Sequence, residues 1–157
     1  MGFLDKVKSM KNAITGGAAK VFVDADSPKI GEPFTVTVRA QSQGATVKYD
    51  KVYLYVRGYE EVEVPDTDVV YDSDGDSHRR TETVRATCVT FEHEMTVAPA
   101  GEIGADDTAE WTVEVNIPTS APPPYRGRYT SHFYQVYAGL DCFGNDPDSG
   151  WIKLNLD

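Results

Sequence analysis

Apolar and polar side chains alternate along most of this chain, and a period of two is the pattern of a β-strand that buries one face. Residues 34–40 show it most clearly, because Phe, Val, Val and Ala alternate there with Thr, Thr and Arg. Residues 109–117 repeat the pattern, with Trp111 at a predicted core position. Glycine, proline and Asp/Asn turns separate about eight such runs, which predicts an all-β, immunoglobulin-like antiparallel sandwich.

The longest alternating run follows prolines at positions 122–124. Proline is excluded from helix interiors and central strands, so these residues predict a rigid elbow that leads into a long buried strand. Successive side chains of that strand point to opposite sides of the sheet. The predicted core face consists of His132, Tyr134, Val136, Ala138 and Leu140. The predicted opposite face consists of Phe133, Gln135, Tyr137, Gly139 and Asp141.

Residues 47–64 form a region that is apolar or aromatic on both predicted faces. Val52, Leu54 and Val56 fall on one face, and the other carries four tyrosines, namely Tyr49, Tyr53, Tyr55 and Tyr59. Two interpretations remain open. The tyrosines can cover one another with their hydroxyls in water, or they can form a flat contact surface for another protein, since tyrosine is enriched at interfaces. These four tyrosines are our candidate partner-binding residues.

The chain begins with a different repeat. Phe3, Leu4, Val7, Met10 and Ile14 recur at three- and four-residue intervals, which predicts a short amphipathic helix ended by glycines at positions 16–17. We therefore divide the chain into a helix and linker at residues 1–17 and one sandwich domain at residues 18–157. The helix is expected either to dock on its own domain or to contact a membrane surface or partner.

Residues 65–80 are predicted to be a loop with a charged tip, because the segment is rich in Asp, Gly and Pro. Asp72, Asp74 and Asp76 suggest a cation site, but Ser77 and Thr83 stand where an EF-hand loop has Gly and Glu. A solvated tip is favoured, and cation binding there remains open. Residues 81–98 are expected to pair with residues 109–117 across a turn at 99–108.

Composition narrows the function classes. The chain has 157 residues, enough for one domain with its own core, and a net charge of −10 that disfavours nucleic acid. No apolar run approaches the roughly 20 residues that cross a bilayer. Cys88 and Cys142 lie far apart and match no metal motif, so we expect free thiols and a cytoplasmic setting, and a bridge between the two remains open if their strands are neighbours.

Catalytic signatures are absent from the sequence. His78, His93 and His132 match no metal-ligand spacing, and no nucleophile-elbow or phosphate-loop motif occurs. His132, on a predicted core face, is expected to be a hydrogen-bonded interior residue. We expect no enzyme activity, no catalytic residue, no cofactor and no resident metal.

Several segments, in order, resemble the amino-terminal domain of the arrestin-like superfamily. They are Ile30-Gly31-Glu32, residues 52–58, residues 111–118, the elbow and strand at 122–141, and the turn at 144–148. The turn and the short amino-terminal helix are similar to the bacterial branch, the sporulation-control proteins. This resemblance implies a non-catalytic protein-binding adaptor or scaffold. The family usually pairs two sandwiches, and this chain has the length of one. No contact residues are carried over, because the regulatory charges of the family have no clear counterpart in this sequence.

Further expectations concern what the chain binds. A single sandwich is expected to bind a protein partner through a sheet face, an edge strand or loops, or to form a homodimer through an open edge strand. The alternatives are a sandwich that binds a metal or carbohydrate ligand, and a self-assembling structural protein.

Overall fold

A computed structural model describes residues 15–16 and 19–156 of the chain. The predicted amphipathic helix at residues 2–14 lies outside the described residues. Of the predicted linker, Thr15 and Gly16 form a short strand that pairs with the first strand of the sandwich.

The described residues form nine strands. They are β1 (Thr15–Gly16), β2 (Ala19–Asp26), β3 (Phe34–Ser42), β4 (Val47–Tyr71), β5 (Ser77–Ile103), β6 (Thr108–Val115), β7 (Tyr125–Arg126), β8 (Thr130–Asp141) and β9 (Ile152–Lys153). One sheet has the order β1-β2-β3-β6, and the other has the order β5-β4-β8-β7, with β9 also on β8. All of these strand pairs are antiparallel, which confirms the predicted all-β antiparallel class.

The core lies between the two sheets, where alternating side chains from each sheet meet. In β3 every second residue from Phe34 to Ser42 is buried, and β2 and β6 bury Val21, Val23 and Val115 on the same side. From the second sheet come Val52, Leu54 and Val56 of β4. The predicted core face of β8 is confirmed in full, because all five of its side chains, His132 included, are almost completely buried.

Strand β4 holds the second sheet together, since it lies between β5 and β8. Its pairing with β8 begins at Lys51–Asp141 and ends at Val62–Thr130. Its pairing with β5 continues past that point to Tyr71–Ser77. Residues 63–71 and 77–85, with the turn at 72–76, therefore form a two-stranded ribbon that extends beyond β8. We call this ribbon the arm.

Two sequence predictions are wrong here. The segment at 65–80 is not a loop, because only residues 72–76 form the turn and the rest belongs to β4 and β5. The segment at 81–98 does not pair with 109–117. Instead β5 pairs with β4, while β6 pairs with β3 from Phe34–Val115 to Gln41–Thr108. Consecutive strands are neighbours in most folds, and here the chain changes sheets between β5 and β6.

Candidate protein-binding face

The outer face of strands β4 and β8 carries a continuous group of aromatic and cationic side chains. Residues directly opposite in an antiparallel pair share one face of the sheet. The outer pairs are Tyr53–Gly139, Tyr55–Tyr137, Arg57–Gln135 and Tyr59–Phe133. Trp151 and Lys153 extend this face beyond β8. We call these residues the aromatic face: Tyr53, Tyr55, Arg57, Tyr59, Phe133, Gln135, Tyr137, Trp151 and Lys153.

The rings of the aromatic face are in contact with one another. The ring centroids of Tyr53 and Tyr55 are 5.6 Å apart, and those of Tyr55 and Tyr137 are 6.2 Å apart, both in edge-on geometry. Tyr137 is 5.3 Å from Trp151. Each such pair contributes about 0.5–1.5 kcal/mol beyond the area that it buries. The rings are therefore held in place before any partner arrives.

Two cations lie on these rings. The guanidinium carbon of Arg57 is 3.7 Å from the centroid of Trp151 and 4.6 Å from that of Tyr59, and the Lys153 ammonium is 4.5 Å from the Phe133 ring. With its amide oxygen turned toward Arg57, Gln135 accepts hydrogen bonds from Nε at 2.6 Å and from Nη2 at 2.7 Å. Stacking and hydrogen bonding together fix the guanidinium plane on the surface.

The four candidate tyrosines do not share one environment. Tyr55 and Tyr59 are half-buried on the aromatic face, and Tyr53 is the most deeply buried of its tyrosines, with only 8% of its surface exposed. The prediction that Tyr49 shares this face is wrong, because its ring packs edge-on against Trp111 of the other sheet, 5.7 Å away. Val47 and Tyr49 face the core as Val52 does, so strict alternation breaks between Tyr49 and Val52.

Two phenol groups of this face are uncharged over the physiological pH range. Burial raises the pKa of Tyr53 well above its ordinary value, and the nearby Asp146 carboxylate, which accepts a hydrogen bond from the Tyr53 hydroxyl at 3.2 Å, raises it further. Burial, followed by the Asp148 carboxylate, raises the pKa of Tyr137 to about 12. Both hydroxyls are therefore protonated near neutral pH and can donate hydrogen bonds.

The aromatic face was only partly predictable from the sequence. Tyr53, Tyr55 and Tyr59 were candidates, whereas Arg57, Trp151 and Lys153 were not. Phe133 and Tyr137 lie on the non-core side of the predicted strand at 122–141, and aromatic residues on that side are the sequence feature that pointed to this face. The pairing of β8 with β4, which brings the tyrosines of β4 next to Phe133 and Tyr137, depends on the fold.

The remaining residues with reactive side chains have structural surroundings. His132 is buried, with Nε2 2.6 Å from the Thr90 hydroxyl and Nδ1 3.0 Å from the Pro123 carbonyl oxygen, as predicted for an interior histidine. His78 and His93 are exposed. Cys88 and Cys142 are free thiols, as predicted, and burial raises the pKa of Cys142.

The acidic tip is a self-capped turn. The Asp72 carboxylate accepts hydrogen bonds from the backbone N–H groups of Asp74 at 3.1 Å and Asp76 at 2.9 Å, and Gly75 takes the positive φ that the turn requires. No group of three His, Cys, Asp or Glu side chains within the described residues has the arrangement to hold a metal ion. The same part of the chain contains no helix long and apolar enough to cross a membrane.

A groove of about 720 Å³ lies where the arm leaves the sandwich. Arg85 of β5 lines one side, and Arg126 and Arg128 of the β7–β8 turn line the other, with Glu61 and Glu63 between them. Arg85 and Glu63 form an ion pair at 3.4 Å. The groove therefore presents mixed charge. No sequence signal pointed to it, because its walls are distant in the chain.

Comparison with known proteins identifies the fold. No protein-family model and no curated protein matches the chain. The crystal structure of Spo0M, a sporulation control protein from Bacillus subtilis, aligns with 90% of this chain at 19% identity and a TM-score of 0.58. The alignment spans half of the Spo0M chain.

A second solved structure, the Northeast Structural Genomics Consortium target SoR45, aligns with 91% of this chain and 90% of its own chain. Its identity is 11% and its TM-score is 0.38, which is too low to support an argument. The likeness to Spo0M is one of fold alone. The chain thus shares the antiparallel β-sandwich fold of Spo0M over 90% of its length, which is the fold implied by the resemblance of its sequence motifs to the sporulation-control branch of the arrestin-like superfamily.

Proposed function

We propose that this domain is a non-catalytic, cytoplasmic protein-binding module of the adaptor type, and that the aromatic face is its contact surface. The observation that carries the proposal is the set of pre-positioned rings and cations on the outer side of β4 and β8. Tyrosine, tryptophan and arginine dominate the binding energy of protein interfaces. Rings that already pack against one another lose little conformational entropy on binding.

The chemistry of the face indicates the kind of partner. Half-buried Tyr55 and Tyr137 offer flat apolar area with neutral hydroxyl donors at the edge, since burial raises the pKa of both phenols. Arg57 and Lys153 add positive charge on a chain whose net charge is −10. We therefore infer that the partner presents apolar side chains next to carboxylates. The buried environment of His132 and the neutral phenols support a binding role rather than catalysis.

The test begins with capture. A photo-crosslinking amino acid replaces Tyr55, and a matched chain carries it at Thr35, an exposed position on the other sheet. Partners crosslinked only from position 55 in the native host are identified by mass spectrometry and purified. Their affinity is then measured for the unaltered chain and for the Tyr55→Ser/Trp151→Ser variant.

We expect the double variant to bind the purified partner about thirtyfold or more weakly, because removing an interface hot spot costs about 2 kcal/mol or more. Tyr53 is left in place, since it is too buried to touch a partner directly. Thr35→Ala serves as the control and should bind normally, and circular dichroism should show that all variants are folded at the temperature of the binding measurement. Equal affinity for the double variant and the unaltered chain would discard this face.

A further inference from the structure

Strand β5 is the edge strand of the second sheet. It runs for 27 residues, from Ser77 to Ile103, and within the described part of the chain its strand partner is β4 alone. The N–H and C=O groups on the opposite side of an edge strand are a template for another strand. Such edges pair with another chain unless charge, bulges or a covering segment prevents it.

The charges along β5 are divided between its two halves. Residues 77–85 contain Arg79, Arg80 and Arg85, with Glu82 as the acidic residue. Residues 86–103 contain Glu92, Glu94 and Glu102 and neither lysine nor arginine. The strand is therefore basic at its beginning, in the arm, and acidic along the sandwich.

The middle of β5 is uncharged and exposed. Residues 86–91 carry no ionisable acid or base apart from the thiol of Cys88, which is exposed. Val84 and Val89 leave 52% and 43% of their surfaces in water. Natural edge strands use charged side chains to prevent pairing, and this part of the edge lacks them.

We propose that two copies of this chain pair antiparallel along β5, about a two-fold axis near Ala86. An antiparallel approach centred there places Arg80 of each copy opposite Glu92 of the other, and Arg79 opposite His93, next to Glu94. Opposite charges on facing residues stabilise a strand pair, and like charges destabilise it. A parallel, in-register approach would instead place like charges together. Two-fold pairing also limits the assembly to a dimer, because the free edge of β5 in each copy is then occupied by the other copy.

The irregularities of β5 limit the length of the ladder. Relative to β4, Thr90 and Val97 are extra residues, and the Thr90 hydroxyl contacts buried His132. A bulge disrupts pairing locally. We therefore place the continuous backbone ladder at residues 83–89 of both copies. Arg85 is the one charged residue inside this ladder and is already ion-paired with Glu63, and the remaining charged residues meet beyond it. The existing Arg80–Glu82 pair, at 2.8 Å, is largely exposed and exchanges partners at little cost.

The experiment measures molar mass by light scattering and sedimentation over a range of concentrations. We expect the full chain to dimerise at or below about 100 µM in low salt, and its dissociation constant to rise when ionic strength is increased to about 0.5 M. Arg79→Glu/Arg80→Glu should weaken the dimer at least tenfold, and so should Glu92→Arg/Glu94→Arg. Lys20→Glu/Lys29→Glu changes the charge equally at β2 and the turn that follows it, in the other sheet from β5, and should leave the dimer unchanged.

A charge exchange tests the geometry itself. Each double variant alone places like charges across the axis, but a mixture of the two places opposite charges at both contacts. The mixture should therefore form a heterodimer, and the chain carrying all four substitutions should recover the homodimer. A monomeric chain at all concentrations, or a dimer that neither double variant weakens, would overturn the proposal. Circular dichroism confirms that each variant is folded.

This inference goes beyond the proposed function and fails separately from it. Trp151→Ser should leave the dissociation constant of the dimer unchanged, because Trp151 lies past β8, on the opposite side of the sheet from the free edge of β5. Conversely, the Arg79→Glu/Arg80→Glu chain, as a monomer, should still bind the partner that crosslinks from position 55.

Discussion

His132 is a polar residue at the centre of an apolar layer. It is 2% exposed, both of its ring nitrogens have partners, and the ring packs edge-on against Tyr134 at 5.1 Å. One partner belongs to β5 and the other to the proline elbow. The His132 side chain therefore links β5, β8 and the elbow that leads into β8. Buried polar groups that are fully paired fix one arrangement of the elements around them.

Substitution of this residue tests the link. His132→Ala should lower the free energy of unfolding by about 2–4 kcal/mol, because it leaves a cavity and removes the partner of the Thr90 hydroxyl and the Pro123 carbonyl. Urea unfolding followed by fluorescence measures the change. His93→Ala, at an exposed position of β5, should change stability by less than about 0.5 kcal/mol. Equal effects at the two positions would contradict the structural role of His132.

At the scale of the strand, the packing of β4 against β8 includes one close contact, between Tyr53 and Gly139. Tyr53 lies opposite Gly139, and a Cβ added at Gly139 would come within 2.5 Å of the Tyr53 ring carbon Cζ. Because glycine has no side chain, Gly139 leaves the space that the Tyr53 ring occupies on the aromatic face. The stacked neighbour Tyr137, 6.4 Å from Tyr53, is positioned by the same arrangement.

Gly139→Ala should therefore destabilise the domain by about 1–3 kcal/mol through overpacking against Tyr53. In a Tyr53→Ala background the same change should cost much less, because the clashing ring is gone. A double-mutant cycle on unfolding free energies measures this coupling. Gly104→Ala is the control, since its added Cβ would meet no atom closer than 3.9 Å. Additive effects of the two substitutions would rule out the contact.

How far the sequence predicts an element depends on what sets that element's boundaries. The faces of β8 follow from alternation alone, because its side chains meet a core on one side and water on the other. Pro65 suggested the end of β4, yet β4 continues. Pro65 lies beyond Val62, the last residue paired with β8, and an unpaired strand edge tolerates the missing N–H. Tyr49 was misplaced because strict alternation breaks between Tyr49 and Val52, so a period of two assigns the residues before the break to the wrong face.

At the scale of the whole molecule, the sandwich and the arm are stabilised differently. The side chains of the core come from both sheets, whereas the strands of the arm are exposed along almost their whole length. A two-stranded ribbon alone in water is marginally stable. The sandwich should therefore fold without the arm, while the arm depends on the strands that continue into the sandwich.

Removal of the arm tests this division. A chain in which Asn-Gly replaces residues 66–82 should keep its melting temperature within about 3 °C, because the deleted residues bury no core surface. The measurement is made on dilute protein, since dimerisation would itself raise the melting temperature. Val56→Ala, which opens a cavity in the core, is the positive control and should lower it clearly. A decrease in melting temperature as large as that caused by Val56→Ala would show that the arm stabilises the sandwich.

The length of the arm also determines what can be attached to this chain at the same time. Residues 63–71 continue β4 past its last pair with β8, and at the rise of a β-strand they reach roughly 30 Å. A molecule held at the tip would be separated by that distance from one held on the outer side of the sandwich. A label attached to the turn at residues 72–76 would therefore leave the aromatic face open.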